Sequence, residues 1–177
     1  MSNILMEAEA DLAVKKGSNG APKMLRKKAM SAPKALNEAY RYQKPSSFSR
    51  GMRLDIKGIT ILMISGTASV GESGETVHPG DFGAQTRRAY QNVTDLLKSE
   101  GATWKDVVRT TCYLRDIERD YEQFNLIRTQ FFEEQGLDVL PASTGIQAIL
   151  CWPSLLYEME AMAIFETPGA AELKDGK

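Results

Sequence analysis

The stretch Leu156-Tyr157-Glu158-Met159-Glu160-Ala161-Met162-Ala163-Ile164-Phe165 decides the fold. It alternates as a strand does, with Tyr157, Met159, Ala161, Ala163 and Phe165 on one face. The other face is also largely apolar, because Leu156, Met162 and Ile164 surround Glu158 and Glu160. A strand with two such faces belongs to a sheet that must be covered on both sides.

The elements around it are read from their periods. Ser143–Leu150 is a strand directly upstream. Before it, Asp120 followed by Gln123 resembles a capping box, and Tyr121, Phe124, Ile127 and Phe131 form the apolar stripe of a helix that stops near Gly136. Val107–Arg115 alternates, with Val108, Thr110, Cys112 and Leu114 on its buried face. Phe82, Ala89, Val93, Leu96 and Leu97 recur at helical spacing after the Gly71–Gly80 loop, and Gly101 supplies the stop. Met52–Ile56 and Ile59–Ser65 flank Lys57-Gly58 and read as a tight hairpin. The order is β-β-α-β-α-β-β, an α+β arrangement with one mixed sheet and two helices on one face. The second face would be left bare, and homo-oligomerisation is its simplest cover.

Composition sets the outer limits. The 177 residues, 42% hydrophobic and 25% charged, match one globular domain that buries its own core without staples. Cys112, Cys151 and the lone His78 offer neither a disulfide framework nor a zinc ligand set, so no metal and no cofactor are expected. His78 reads as a turn residue, Cys112 as core, and Cys151 as a residue near the cleft without a base beside it. The apolar runs Ile59–Ile64 and Ala161–Phe165 are far shorter than the roughly 20 residues of a membrane span. With no signal-peptide core at the start of the chain, a cytoplasmic protein is expected.

Charge divides the chain. Residues 1–45 carry nine Lys/Arg against four Asp/Glu, net +5, whereas residues 46–177 carry 13 against 19, net −6. Residues 1–45 therefore read as a basic N-terminal extension, 46–168 as the domain and 169–177 as a tail. Ile4–Val14 and Ala32–Tyr42 are candidate short helices, with Arg26-Lys27-Lys28 between breakers. No aromatic residues interleave with that cluster as base stacking requires, so a nucleic-acid partner is not expected.

A set of short pieces then carries a resemblance. Ile64-Ser65-Gly66, Gln85-Thr86-Arg87 with Asn92, Asp106-Val107-Val108-Arg109-Thr110-Thr111, Asn125, Phe131-Phe132, Pro141-Ala142 and Tyr157-Glu158-Met159-Glu160-Ala161-Met162-Ala163 fall in the order and nearly the spacing of the Rid family, also called RidA/YjgF or endoribonuclease L-PSP. The resemblance covers about residues 48–166. It implies a chorismate-mutase-like fold of the bacillus type and a homotrimer with the sheets as an inner barrel. It also implies small-molecule ligand clefts between subunits.

Members of the RidA type hydrolyse enamines and imines such as 2-aminoacrylate. They hold the substrate carboxylate with an arginine two residues after the family's proline, a bidentate contact that guanidinium geometry suits. Here Ser143 stands at that position, Gly145 stands where the family has cysteine, and Phe48 stands for a tyrosine. The resemblance leaves Glu158 as the catalytic carboxylate that directs water, and Ser65, Gly66, Asn125, Ser143, Thr144, Gly145 and Phe48 as the substrate-binding set. Without the arginine, little standard 2-imino-acid deamination is expected, unless Arg50, Arg53 or Arg128 replaces the anchor. Three functions stay open: a hydrolase or deaminase of C=N or enamine compounds, a non-catalytic metabolite-binding or regulatory trimer, and an endoribonuclease or translation inhibitor.

Overall fold

Hydrophobic alternation and turn chemistry build a six-stranded sheet in the order β1 (Leu25–Ala29), β2 (Gly51–Ile56), β3 (Ile59–Ala68), β6 (Tyr157–Glu166), β4 (Val107–Leu114) and β5 (Ala142–Gln147). The computed structural model describes residues 25–33 and 36–168. Strands β2 (Gly51–Ile56) and β3 (Ile59–Ala68) form the hairpin. Its two turn residues, Lys57 and Gly58, both have positive φ, the conformation a two-residue turn needs to match the strands' twist. Helix α1 (Phe82–Ser99) begins on an Asp81 side chain that accepts from the Ala84 N–H at 2.9 Å. Strand β4 (Val107–Leu114), helix α2 (Ile117–Glu134), β5 (Ala142–Gln147) and β6 (Tyr157–Glu166) follow. All pairings are antiparallel except β4 with β5, which α2 connects as a parallel crossover. The two helices cover one face, and the α+β class with a mixed sheet, as read from the sequence, is observed with one strand more than expected.

The core lies between that face and the helices. Tyr90 stacks on Phe131 at 4.5 Å, Trp104 meets Phe131 edge-on at 5.1 Å, and Tyr157 of β6 packs on Phe124 at 5.6 Å. Leu62, Cys112, Leu114, Met159 and Ala163 fill the sheet side. On the opposite face Ile59, Met63 and Ile164 remain exposed.

Several sequence expectations are corrected. The sheet begins at Leu25, since β1 (Leu25–Ala29) pairs with β2, and the basic cluster Arg26-Lys27-Lys28 is part of this edge strand. The described residues of Ala32–Tyr42 do not form the expected helix: Leu36 bridges back to Ala32, and among them only Ala39–Arg41 makes a 3-10 turn. The carbonyl of Asn37 is taken by the Arg50 side chain, which removes it from any helical ladder. Ile4–Val14 lies outside the described residues.

Helix α2 starts a turn earlier than expected, on Asp116, whose side chain accepts from the Arg119 N–H. Asp120 is instead buried inside the helix against the Arg119 guanidinium. Tyr121 leaves the apolar stripe and is exposed. Val108 is exposed too, because a bulge between Val107 and Arg109 makes it the extra residue and gives its core place to Val107. Strand β5 ends at Gln147 rather than Leu150, where the chain leaves the sheet and Leu150 drops into a second apolar cluster with Ala68 and Leu155.

Candidate functional site

The candidate residues sort onto two faces of the sheet. On the face that the helices leave open, β3 and β6 slip register between Ile64 and Thr67, so Ser65 and Gly66 sit on a bulge opposite Glu158–Ala161. The Ser65 hydroxyl donates to the Ser49 carbonyl at 2.8 Å, and its N–H donates to the Arg50 carbonyl. These bonds tie segment 48–50 to the bulge. Gly66 is there for space: a Cβ would overlap Oε1 of Glu158 and stand 3.2 Å from its Cδ. The Glu158 side chain thus lies over the bare backbone of Gly66.

Glu158 is half-buried between its cross-strand partners Ala68 and Tyr113, both of which touch the second apolar cluster. Burial pushes its carboxyl above the ordinary value, and the negative charge of Glu160 two residues on adds to the shift. Among the described residues no hydrogen bond or ion pair holds this carboxyl. Glu160 is different, since it accepts from the Tyr113 hydroxyl at 3.1 Å.

A cavity of about 460 Å³ opens beside the bulge. Phe48 and Met63 form apolar walls, and Ser65, Arg109, Thr111 and Glu160 supply polar groups. Glu158 stands past its rim, across the bulge from Ser65. Arg109, Thr111, Tyr113 and Glu160 were not singled out from the sequence. Their signal was available: in β4, Arg109, Thr111 and Tyr113 alternate with the buried Thr110, Cys112 and Leu114.

The second group lies at the β5 edge. By register Ser143 and Gly145 share the helix-side face with Thr110 and Cys112, whereas Thr144 faces the open side, where Arg109 approaches its hydroxyl at 3.4 Å. The Ser143 hydroxyl meets that of Thr110 at 3.0 Å and accepts from Arg128 of α2 at 3.2 Å. Arg128 also donates to the Asn125 amide oxygen at 2.6 Å and stacks 4.8 Å over the Phe124 ring. At Gly145 a Cβ would meet only the Tyr121 ring, at 4.0 Å.

One chain therefore brings Ser65, Gly66, Glu158 and Phe48 together, and separately Asn125, Ser143 and Gly145. Of the candidate replacement anchors, Arg50 is buried and spent on the Asn37 carbonyl and the Tyr42 hydroxyl. Arg53 is committed to Asp55 and Glu100. In the basic cluster, Arg26 faces Asp55 and Lys28 faces Glu100. Among the described residues no cluster of His, Cys, Asp and Glu fits a metal ion, and no helix is long and apolar enough to cross a membrane.

Comparison with known proteins places this geometry. The family model described as Endoribonuclease L-PSP matches residues 43–165. A RutC family protein of Pyrococcus abyssi is 35% identical over 95 residues, which cover 54% of this chain and 70% of the relative. The crystal structure of the YjgF gene product from E. coli superposes with a TM-score of 0.63 at 25% identity, over 77% of this chain and 98% of that one. E. coli TdcF, solved with bound serine, has a TM-score of 0.64 at 22% identity over 78% and 99% of the two chains, which shows the shared fold. The match over residues 43–165, the relatives and the shared fold together show that the chain belongs to the endoribonuclease L-PSP family, the Rid/YjgF proteins.

Proposed function

We propose that this protein is a hydrolase of small, reactive C=N or enamine compounds, working in a cleft that a second copy of the chain completes. The observation that carries the reading is Glu158: a carboxyl without a fixed partner among the described residues, half-buried and held above its ordinary pKa, laid over a glycine that no other residue could replace without moving it. Such a group is suited to accept and return a proton.

In the reaction, water adds to the imine carbon and Glu158 takes its proton. The carboxyl passes that proton to nitrogen to give a carbinolamine, then carries the carbinol hydroxyl proton to the same nitrogen as the C=O bond forms and the C–N bond breaks, and ketone and ammonia leave. Imine and water are thereby converted to ketone and ammonia without an oxidant or cofactor. An enamine enters the same path after protonation at carbon.

The positions of the two groups favour a second copy. Ser143, Gly145 and Asn125 lie on the helix side of an edge strand, while Ser65 and Glu158 face the open side of the sheet. One ligand reaches both groups only if the β5 edge of one subunit lies against the open face of the next. A homotrimer closes such contacts in a ring and covers Ile59, Met63 and Ile164.

A metabolite-binding trimer without turnover is the second reading, favoured by the Ser65 hydroxyl, whose proton is spent on the Ser49 carbonyl rather than aimed into the cavity. Ribonuclease activity is not favoured, because Arg26 and Lys28 already face carboxylates. The deciding assay traps amino-acid-derived imines with semicarbazide and follows their loss. We expect hydrolysis by the native protein and its collapse in Glu158→Gln; equal rates in both would remove Glu158 from the chemistry, and no activity in either would favour the binding reading.

A further inference from the structure

We propose that Arg128, carried by helix α2 rather than by the edge strand, is the anion anchor of this cleft and receives the carboxylate of a small organic acid at the β5 edge. The proposal rests on the reading of the cleft given above and names the residue that sets its ligand class.

Arg26, Arg53, Arg87 and Arg119 each face a carboxylate. Arg50 and Arg115 are spent largely on backbone carbonyls. Arg128 and Arg109 differ, because neither has a carboxylate within ion-pair distance among the described residues; Arg109 has only the Thr144 hydroxyl at 3.4 Å, whereas Arg128 is held by the neutral oxygens of both Asn125 and Ser143. Among the described residues the charge of Arg128 is therefore uncompensated. One N–H on each terminal nitrogen is used, which leaves the other N–H groups of the fork for a ligand.

Pre-organisation strengthens the case. Two hydrogen bonds and the Phe124 ring fix the side chain before any ligand arrives, so less ordering entropy is lost on binding. Ser143 contributes by being small and by accepting a hydrogen bond: it leaves room at the edge and directs the guanidinium toward it. Asn125 acts as a positioning residue, since its amide oxygen is spent on Arg128. An arginine introduced at position 143 would stand against Arg128 and repel it. The relocated anchor also changes the expectation drawn from Ser143 alone, because a carboxylate ligand need not go unpaired here.

The test compares 2-oxobutyrate with the neutral 2-oxobutanamide, titrated calorimetrically into the full-length protein. The native protein should prefer the acid by about tenfold or more, the effect of a charge-assisted pair. In Arg128→Met that preference should vanish while amide affinity holds, and Arg128→Lys should keep part of it; melting temperature and oligomeric mass check that each variant is folded. Should Arg128→Met not fold, Asn125→Ala is read instead and should lower the preference.

Three results would overturn the proposal: no preference in the native protein, a preference that survives Arg128→Met, or one lost in Arg109→Met and kept in Arg128→Met. Because the readout is binding, its failure is separable from failure of the hydrolase reading. An inactive protein with the Arg128-dependent preference intact sinks the hydrolase and leaves the anchor, whereas active protein indifferent to Arg128 does the reverse.

Discussion

Changing Gly66 to alanine tests whether the placement of Glu158 matters to the chemistry. The added Cβ overlaps Oε1 of Glu158 and comes to 3.2 Å from Cδ, while no other residue is among its nearest neighbours. Restoring ordinary van der Waals separation requires the carboxyl to move by about 1 Å. The backbone at Gly66 does not have the positive φ that disfavours alanine, and what must move is the end of a flexible side chain. The expected stability cost is therefore small, about 1 kcal/mol or less. The catalytic cost is larger, because a displacement of about 1 Å in a reacting group lowers rates by up to roughly 100-fold. Imine hydrolysis should fall at least about tenfold in Gly66→Ala while the melting temperature shifts by only a few degrees. Undiminished activity would refute the positioning role of Gly66. A rate loss matched by general unfolding would assign the glycine to the fold instead.

Two further predictions concern charge. The raised carboxyl of Glu158 binds its proton more tightly in the folded protein, so its stabilising contribution is complete below the ordinary value of 4.5 and is lost as pH rises through the raised one. Glu158→Gln should therefore melt like the native protein in acid and above it at neutral pH, and parallel melting curves across that range would contradict the shift. The buried Glu100 carboxylate is held by Arg53, itself largely buried, and by Lys28, which is 61% exposed. Arg53→Met should cost about 3 kcal/mol in urea unfolding at fixed protein concentration, and Lys28→Met less than about 1 kcal/mol; equal losses would show that burial does not separate the two pairs.

What was legible in the sequence followed from period. The hairpin at Lys57-Gly58, both helix stops at glycines and the alternation of β6 are local signals, and each appears where the pattern put it. The failures lie where tertiary contacts override a local cue. Val108 has the period of a buried residue, but a bulge turns it outward. Asp120 has the look of a cap, yet Asp116 serves a turn earlier because Asp120 is engaged by its neighbour Arg119. Strand β1 consists of Leu25-Arg26-Lys27-Lys28-Ala29, whose charge suggests a tail; its pairing with β2 places Arg26 against Asp55 and Lys28 close to Glu100. At the site, family resemblance supplied the residues but not their distribution over two faces. Arg128 was one arginine among several until its distance to Ser143 set it apart.

Arg50 has a consequence for how this scaffold can diverge. Its buried side chain grips the Asn37 carbonyl and the Tyr42 hydroxyl and lies 5.5 Å over the Phe48 ring, while its own carbonyl holds the Ser65 N–H. One residue thus joins the segment that walls the cavity to the bulge that forms its floor. Replacements at the exposed positions 43–48 that respect this hub would reshape the mouth and leave the buried Ala39 and Tyr42, the helices and the sheet as they are. Ligand choice can then drift along that segment, independently of Glu158 and of the stability of the core.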